Sequence, residues 1–156
     1  MAIAISLKQY LSDNHIEYDS LAHPYTLSST KTAQASHIPG AHIAKAVLLK
    51  KEDDYLLAVL PASRHIRFDD VEAILQHDVR LATEEEVETL FSDCELGAIP
   101  PIGKAYGLDV LMDDSLSGSK DVYFEAGDHA TLVHVDADQF GKMMASVRHG
   151  QFSQPG

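Results

Sequence analysis

Residues 42–62, HIAKAVLLKKEDDYLLAVLPA, decide the fold class. Two runs rich in Val, Leu and Ala flank a polar stretch, Lys50-Lys51-Glu52-Asp53-Asp54. Aliphatic runs of this length suit a pleated, half-buried surface, and a charged turn between them predicts an antiparallel hairpin. On its first strand Ile43, Lys45, Val47 and Leu49 share one face, while Ala44, Ala46 and Leu48 share the other. Lys45 is therefore an ammonium in an otherwise apolar row. Burying it unpaired is costly. Two readings follow: an exposed strand end where the amine snorkels to water, or a cation at the floor of a pocket, waiting for a phosphate or carboxylate.

Upstream of the hairpin, SLKQYLSDNH places Leu7, Tyr10 and Leu11 on one helical face behind a Ser6 cap, and IEYDSLAH reads as a first strand. LSSTKTAQASHIPG offers Ser28 or Ser29 as the cap of a short Ala-rich helix that stops at Pro39-Gly40. Downstream, Phe68-Asp69-Asp70 opens a helix with Val71, Ile74 and Leu75 on one face, and VRLA is a brief extended piece. Thr83 with Glu86 matches a capping box at the head of TEEEVETLF. Three strand candidates follow: GLDVLMDD, DVYFEAG and ATLVHVD. Asp136 or Asp138 caps a last helix through Phe140, Met143 and Met144, and residues 146–156 are expected to be a flexible tail. No repeat or linker divides the chain. The expectation is one domain over residues 1–156, α/β or α+β, with a mixed sheet and helices packed around it.

A chain of 156 residues can bury a real core but is short for two ordinary domains. Its 45% hydrophobic and 23% charged content excludes a disordered chain. Twelve Lys and Arg against 24 Asp and Glu leave a net charge of −12, which repels a phosphate backbone; a long grip on DNA or RNA is excluded, and a nucleic acid can be touched only locally. No apolar run approaches the roughly 20 residues of a membrane span, and no leader pattern opens the chain, so a cytoplasmic protein without membrane partners is expected. A lone Cys94 excludes a disulfide framework. The nine histidines show neither HExxH nor a Cys companion, so no metal and no cofactor are expected. Phosphate-loop, nucleophile-elbow and dinucleotide motifs are absent too.

The segment Gly97-Ala98-Ile99-Pro100-Pro101-Ile102-Gly103 sits between the acidic helix and a core strand. Consecutive prolines fix φ, remove two donors and push their predecessors into extended conformations, so the loop is shaped in advance. Either it is a stiff connector, or the N–H groups of Gly97, Ala98 and Ile99 point at a ligand carbonyl as an oxyanion-stabilising rim. His129 follows a Gly-Asp turn between two strands, where a side chain reaches a cleft. Cys94 lacks an evident base beside it, and a half-buried structural thiol is the expectation.

Taken in order, His23-Pro24 before the Ser/Thr-led helix, IAKAVLL with Lys45, GAIPPIG followed by GLDVLMD, and VYFEAGDHATLVHV before the closing helix resemble the YbaK family. These are aminoacyl-tRNA deacylases that also occur as the editing insertion of bacterial prolyl-tRNA synthetases. The resemblance covers nearly the whole chain. It implies a single α/β domain around a mixed, largely antiparallel sheet, and hydrolysis of the ester joining a wrong amino acid to the terminal adenosine of a tRNA. It further implies that Lys45 lies near that adenosine and its phosphate, and that the Gly97–Pro101 loop orients the aminoacyl carbonyl. In the same way Lys45 and Gly97 are matched to the catalytic set, and Ala98, Ile99, Pro100, Pro101, His129, His23 and Ser28 to the substrate-binding set. Two prolines would then form the unyielding wall that a second sieve needs. The partners implied are the acceptor end of a mischarged tRNA and, given the acidic surface, a synthetase or elongation factor. A non-catalytic module binding a small molecule or aminoacyl nucleotide is the alternative, and a structural or regulatory partner protein the third.

Overall fold

The computed structural model describes residues 3–156. The hairpin at its centre is present: β2 (Ala44–Lys51) and β3 (Asp54–Pro61) pair antiparallel from Ala44–Pro61 to Lys51–Asp54. Strand β3 is buried from Leu56 through Pro61 because it lies inside a five-stranded sheet, β5-β2-β3-β6-β9. Its alternation divides the core in two. Leu57 and Val59 enter a large cluster with Leu7, Leu11, Phe91 and Phe124. Leu56, Ala58 and Leu60 enter a smaller one with Val71, Leu111 and Phe152.

Among the described residues five α-helices surround the sheets: α1 (Ile5–Asp13), α2 (Ser29–Ser36), α3 (Phe68–Leu75), α4 (Glu84–Leu90) and α5 (Ala137–Met143). Besides the hairpin, the central sheet holds β5 (Arg80–Leu81), which pairs antiparallel with β2, and β6 (Asp109–Asp113) and β9 (Arg148–Gly150), which run parallel to β3. A second sheet is antiparallel throughout, with β8 (Thr131–Asp136) between β1 (Asp19–Ala22) and β7 (Asp121–Glu125). One parallel bridge, Ile43 to Tyr123, joins it to the head of β2. The architecture is thus the expected mixed α/β fold in which antiparallel pairs predominate.

Local chemistry places the helix ends. Ser28 caps α2 by accepting from Lys31 N–H, and Asp136 caps α5 by accepting from Gln139 N–H. Thr83 and Glu86 form the full capping box. Glu86 also accepts from Arg80, Tyr55 and Lys50, and with Arg80 foremost these donors hold its carboxyl well below the usual carboxylate range. Two expected signals differ. Ser6 does not cap α1; Ala4 holds that position, and the Ser6 N–H instead donates to Asp93 Oδ2 at 2.7 Å. Helix α2 ends at His37, in the left-handed region with φ 57°, before Pro39-Gly40 is reached.

The C-terminal segment is not a free tail. It forms β9 and then β10 (Ser153–Pro155), which pairs antiparallel with β4 (Arg64–Ile66). Phe152 between them is fully buried, with its N–H donating to Asp113 Oδ1. One aromatic side chain in a polar stretch is enough to dock the segment, since burying a Phe removes a large apolar area from water. Phe152→Ala should lower the unfolding free energy by about 3–5 kcal/mol, read by urea denaturation; a change near zero would restore the flexible-tail reading.

Candidate active site

Strand β7 carries a carboxylate among apolar neighbours. Glu125 lies between Phe124 and Ala126 and is buried. Such a group must be hydrogen-bonded. Thr32 Oγ1, from α2, donates to Glu125 Oε2 at 2.8 Å, and Thr26 Oγ1 lies 2.6 Å from Thr32 Oγ1. His23 Nε2 sits 3.3 Å from Glu125 Oε1, and its Nδ1 sits 2.7 Å from the Pro24 carbonyl oxygen. That oxygen only accepts, so Nδ1 carries a proton. The network ties the chain after β1, and the inner face of α2, to β7. His23 and Ser28, expected at a substrate, take part in this network and in the α2 cap.

The β7–β8 turn is shaped by its own side chains. Asp128 accepts from Ala130 N–H at 3.0 Å and from Thr131 Oγ1 at 3.3 Å, while Gly127 takes φ 118°. His129 follows in the left-handed region, φ 62°, with only 2% of its surface exposed. Its Nε2 meets the Leu96 carbonyl oxygen, so Nε2 is the donor and carries the proton. Its Nδ1 is buried and has no hydrogen-bond partner among the described residues.

Gly97 lies directly against this ring. Its φ is +82°, and a Cβ there would stand 3.0 Å from His129 Cε1 and 3.3 Å from the Leu27 carbonyl oxygen. Only glycine satisfies both the left-handed backbone and the close approach. Beyond it the chain turns inward: Ala98, Ile99, Pro100, Pro101 and Ile102 are all buried, Ile99 and Ile102 within the large cluster. The prolines therefore stiffen the rim from beneath, and solvent meets Leu96 and Gly97. Ala98 N–H is already given to the Glu95 carbonyl at 3.1 Å, whereas Gly97 and Ile99 N–H make no backbone or side-chain hydrogen bond among the described residues.

Over this rim opens a cleft of about 530 Å³ lined by Tyr25, Leu27, Leu96, Glu88, Glu95 and His129 among others. Tyr25 lies against the His129 ring, centroids 5.3 Å apart, and its hydroxyl donates to Glu95 at 3.0 Å. Tyr25 and Leu27 are 58% and 66% exposed, an apolar face left open at the mouth. Cys94 is held away from reaction: burial pushes its thiol up to about 12, and Sγ rests 3.3 Å from the Tyr106 hydroxyl. Tyr106 in turn donates to Asp93, the carboxylate that meets the head of α1.

Lys45 lies on β2, half-buried, and its pKa is lowered by desolvation. Among the described residues it has no hydrogen-bond or ion-pair partner, and burial is the sole cause of the shift. The strand's alternation sends Ala44 and Leu48 to the cluster that holds Ile99 and Ile102, and Val47 and Leu49 to the other. Lys45 thus belongs to the row opposite the rim's isoleucines. The structure brings Gly97 and His129 together, with Tyr25 and Leu27; it does not join Lys45 to them by a hydrogen bond or by the lining of that cleft.

Sequence reasoning passed over Glu125, Thr32, Tyr25 and Leu96. The one available signal was the charged residue inside VYFEA, a carboxylate where strand alternation alone predicts apolar neighbours on both sides.

A family model described as the aminoacyl-tRNA editing domain matches residues 23–143. No curated protein sequence matches the chain. Among solved structures, one put forward as a trans-editing enzyme for prolyl-tRNA synthetase superposes with a TM-score of 0.82 at 19% identity, over 97% of this chain and 96% of that one. A hypothetical protein gives a TM-score of 0.83 at 18% identity, over 96% and 99%. A protein from Marinobacter aquaeolei, put forward in signal transduction, gives 0.77 at 18% identity; 96% of this chain aligns with 30% of that larger one. At these identities the likeness establishes the fold.

Gly97→Ala should destabilise the protein by about 1–3 kcal/mol through its left-handed backbone and the contact with His129. In a His129→Ala background the same change should cost measurably less, because the ring that the new Cβ meets is gone. A urea-denaturation cycle reads this, and strict additivity would show that the two residues do not touch.

Proposed function

The chain belongs to the aminoacyl-tRNA editing domain family, and on that premise we propose that it is a trans-editing deacylase, hydrolysing the ester between a wrong amino acid and the terminal adenosine of a tRNA. One observation supports a site within the matched residues: Gly97 and His129 meet under a cleft of about 530 Å³ whose mouth carries Tyr25 and Leu27.

The chemistry suits that cleft. An aminoacyl ester is already activated, so hydrolysis needs positioning, a donor for the developing oxyanion, and a water molecule. Gly97 N–H, uncommitted at the rim, is the donor assigned to the oxyanion. Water adds to the carbonyl carbon, the bond to the ribose oxygen breaks, and that oxygen takes up a proton. Glu88 and Glu95 on the lining place negative charge where the α-ammonium of the aminoacyl group would lie. Tyr25 and Leu27 give the side-chain pocket an apolar wall, and the buried prolines keep its floor from yielding, the requirement of a size sieve. No covalent nucleophile is needed, consistent with a Cys94 held as the neutral thiol.

Lys45 is assigned to the phosphate next to the terminal nucleoside. An unpaired, half-desolvated amine gains most from an anion. With a net charge of −12 the protein should hold tRNA weakly and in a salt-sensitive manner, so delivery by a synthetase or elongation factor is part of the proposal. A non-catalytic aminoacyl-nucleotide binding module is the second reading, favoured by the separation of Lys45 from the cleft lining; it predicts binding without loss of the ester.

A panel of matched and mismatched aminoacyl-tRNAs tests the proposal. One or more mismatched members should be deacylated, and none losing its ester would contradict it. With a deacylated member, Lys45→Ala should lower kcat/KM about a hundredfold. The wild-type rate, corrected for spontaneous hydrolysis, should fall on the alkaline side below the ordinary lysine range, since desolvation lowers the Lys45 pKa and the neutral amine no longer holds a phosphate. Lys45→Arg should keep activity and lose that alkaline limb; an unchanged limb would assign the titration elsewhere.

A further inference from the structure

A second cleft, of about 640 Å³, lies between the turn that follows α2 and the loop that leads into β7. His37 and His42 stand on one side, Ser117, Ser119 and Lys120 on the other, with Tyr123 at the sheet. The loop is built to hold this shape. Gly118 takes φ +84°, and the Lys120 carbonyl accepts Ala137 N–H at 2.9 Å, pinning the loop to the head of α5. On the facing side, His37 adopts the left-handed conformation that closes α2.

The groups collected there ask for an anion. Lys120 is exposed and makes no ion pair among the described residues. The acid of the lining, Asp121, is engaged: its Oδ1 lies 2.8 Å from His134 Nε2, and that ring stacks on Tyr123 with centroids 4.6 Å apart. Imidazoles, hydroxyls and an ammonium converging on one hollow match the several acceptor oxygens and negative charge of a phosphate.

Its position gives the phosphate a source. Ile43, next to His42, bridges to Tyr123 at the cleft. Lys45 follows two residues later, roughly 7 Å along the strand. We propose that this cleft is a phosphate subsite that holds a backbone phosphodiester of the acceptor strand while the acylated end is processed. The proposal rests on the editing reading for the identity of its ligand. It supplies the local grip that an acidic protein needs on RNA.

The test compares the full chain with Lys120→Glu, and with Lys8→Glu on α1 as a control for the same charge change. Binding of an uncharged single-stranded acceptor-end oligonucleotide is titrated across salt, and hydrolysis is followed on aminoacyl-tRNA and on aminoacyl-adenosine, which lacks the phosphates. Lys120→Glu should weaken oligonucleotide binding about tenfold and lower the salt slope by about 0.7, the share of one phosphate contact on a single strand. It should raise KM for the tRNA and leave kcat, and leave aminoacyl-adenosine hydrolysis unchanged; Lys8→Glu should do none of this. Equal affinity and slope for wild type and Lys120→Glu would overturn the proposal, as would inorganic phosphate binding that depends on Lys120 while oligonucleotide binding does not, which would make the cleft a site for free anions. If the wild type hydrolyses no ester, the editing reading fails, and the oligonucleotide titration still decides whether the cleft holds a phosphodiester.

Discussion

A carboxylate inside an apolar strand cannot be left alone, and Glu125 sets the arrangement of the site through that constraint. Its partners are Thr32 on α2 and His23 at the end of β1. Satisfying both draws α2 and the connecting residues 23–28 onto β7. Thr26 N–H then donates to the His129 carbonyl at 3.2 Å, and His23 N–H to the Ala130 carbonyl at 2.9 Å. These bonds bring the Leu27 carbonyl and the Tyr25 ring against Gly97 and His129. The cleft is thus a consequence of how one buried carboxyl group finds its hydrogen-bond partners.

The rim is fixed from the other side by packing. Ala98 to Ile102 are held in the core, so Leu96 and Gly97 have little freedom to retreat. Glu95 N–H donates to the Gly127 carbonyl at 2.7 Å, which locks the residues before the rim to the β7–β8 turn. The Asp93–Tyr106–Cys94 contacts join the same segment to α1. Pre-organisation of this kind lowers the ordering cost when a ligand arrives. It also accounts for two left-handed residues facing one another, since local strain persists only where the surroundings determine the backbone.

Much of this was legible in the residues. The hairpin, the capping box at Thr83 and Glu86, and the apolar faces of α1 and α3 follow from local patterns, and the structure keeps them because tertiary packing agrees with local preference. The Gly-Asp turn ahead of His129 was legible for the same reason. The C-terminal strands were not, because their docking depends on Phe152 finding Val71 and Leu111, contacts far away in sequence. Nor was the duty of His23: a histidine before a proline gives no sign of a carboxylate 102 residues later. The two prolines were read as a stiff wall of the pocket; that the core takes them in and leaves the glycine outside was not legible, because it depends on packing far along the chain. Lys45 was placed on the correct strand, but strand alternation alone does not say what stands across from its amine.

The fold sets a rigid glycine rim and a fixed imidazole under an apolar mouth, and family membership supplies the class of molecule to bring there. The remaining link is spatial: the acylated end has to occupy that mouth rather than any other hollow. A crystal structure with an amide-linked, non-hydrolysable aminoacyl-adenosine measures this directly. The account predicts the amide carbonyl within hydrogen-bond distance of Gly97 N–H, with the amino-acid side chain against Tyr25 and Leu27; an analogue bound away from Leu96, Gly97 and His129 would contradict it.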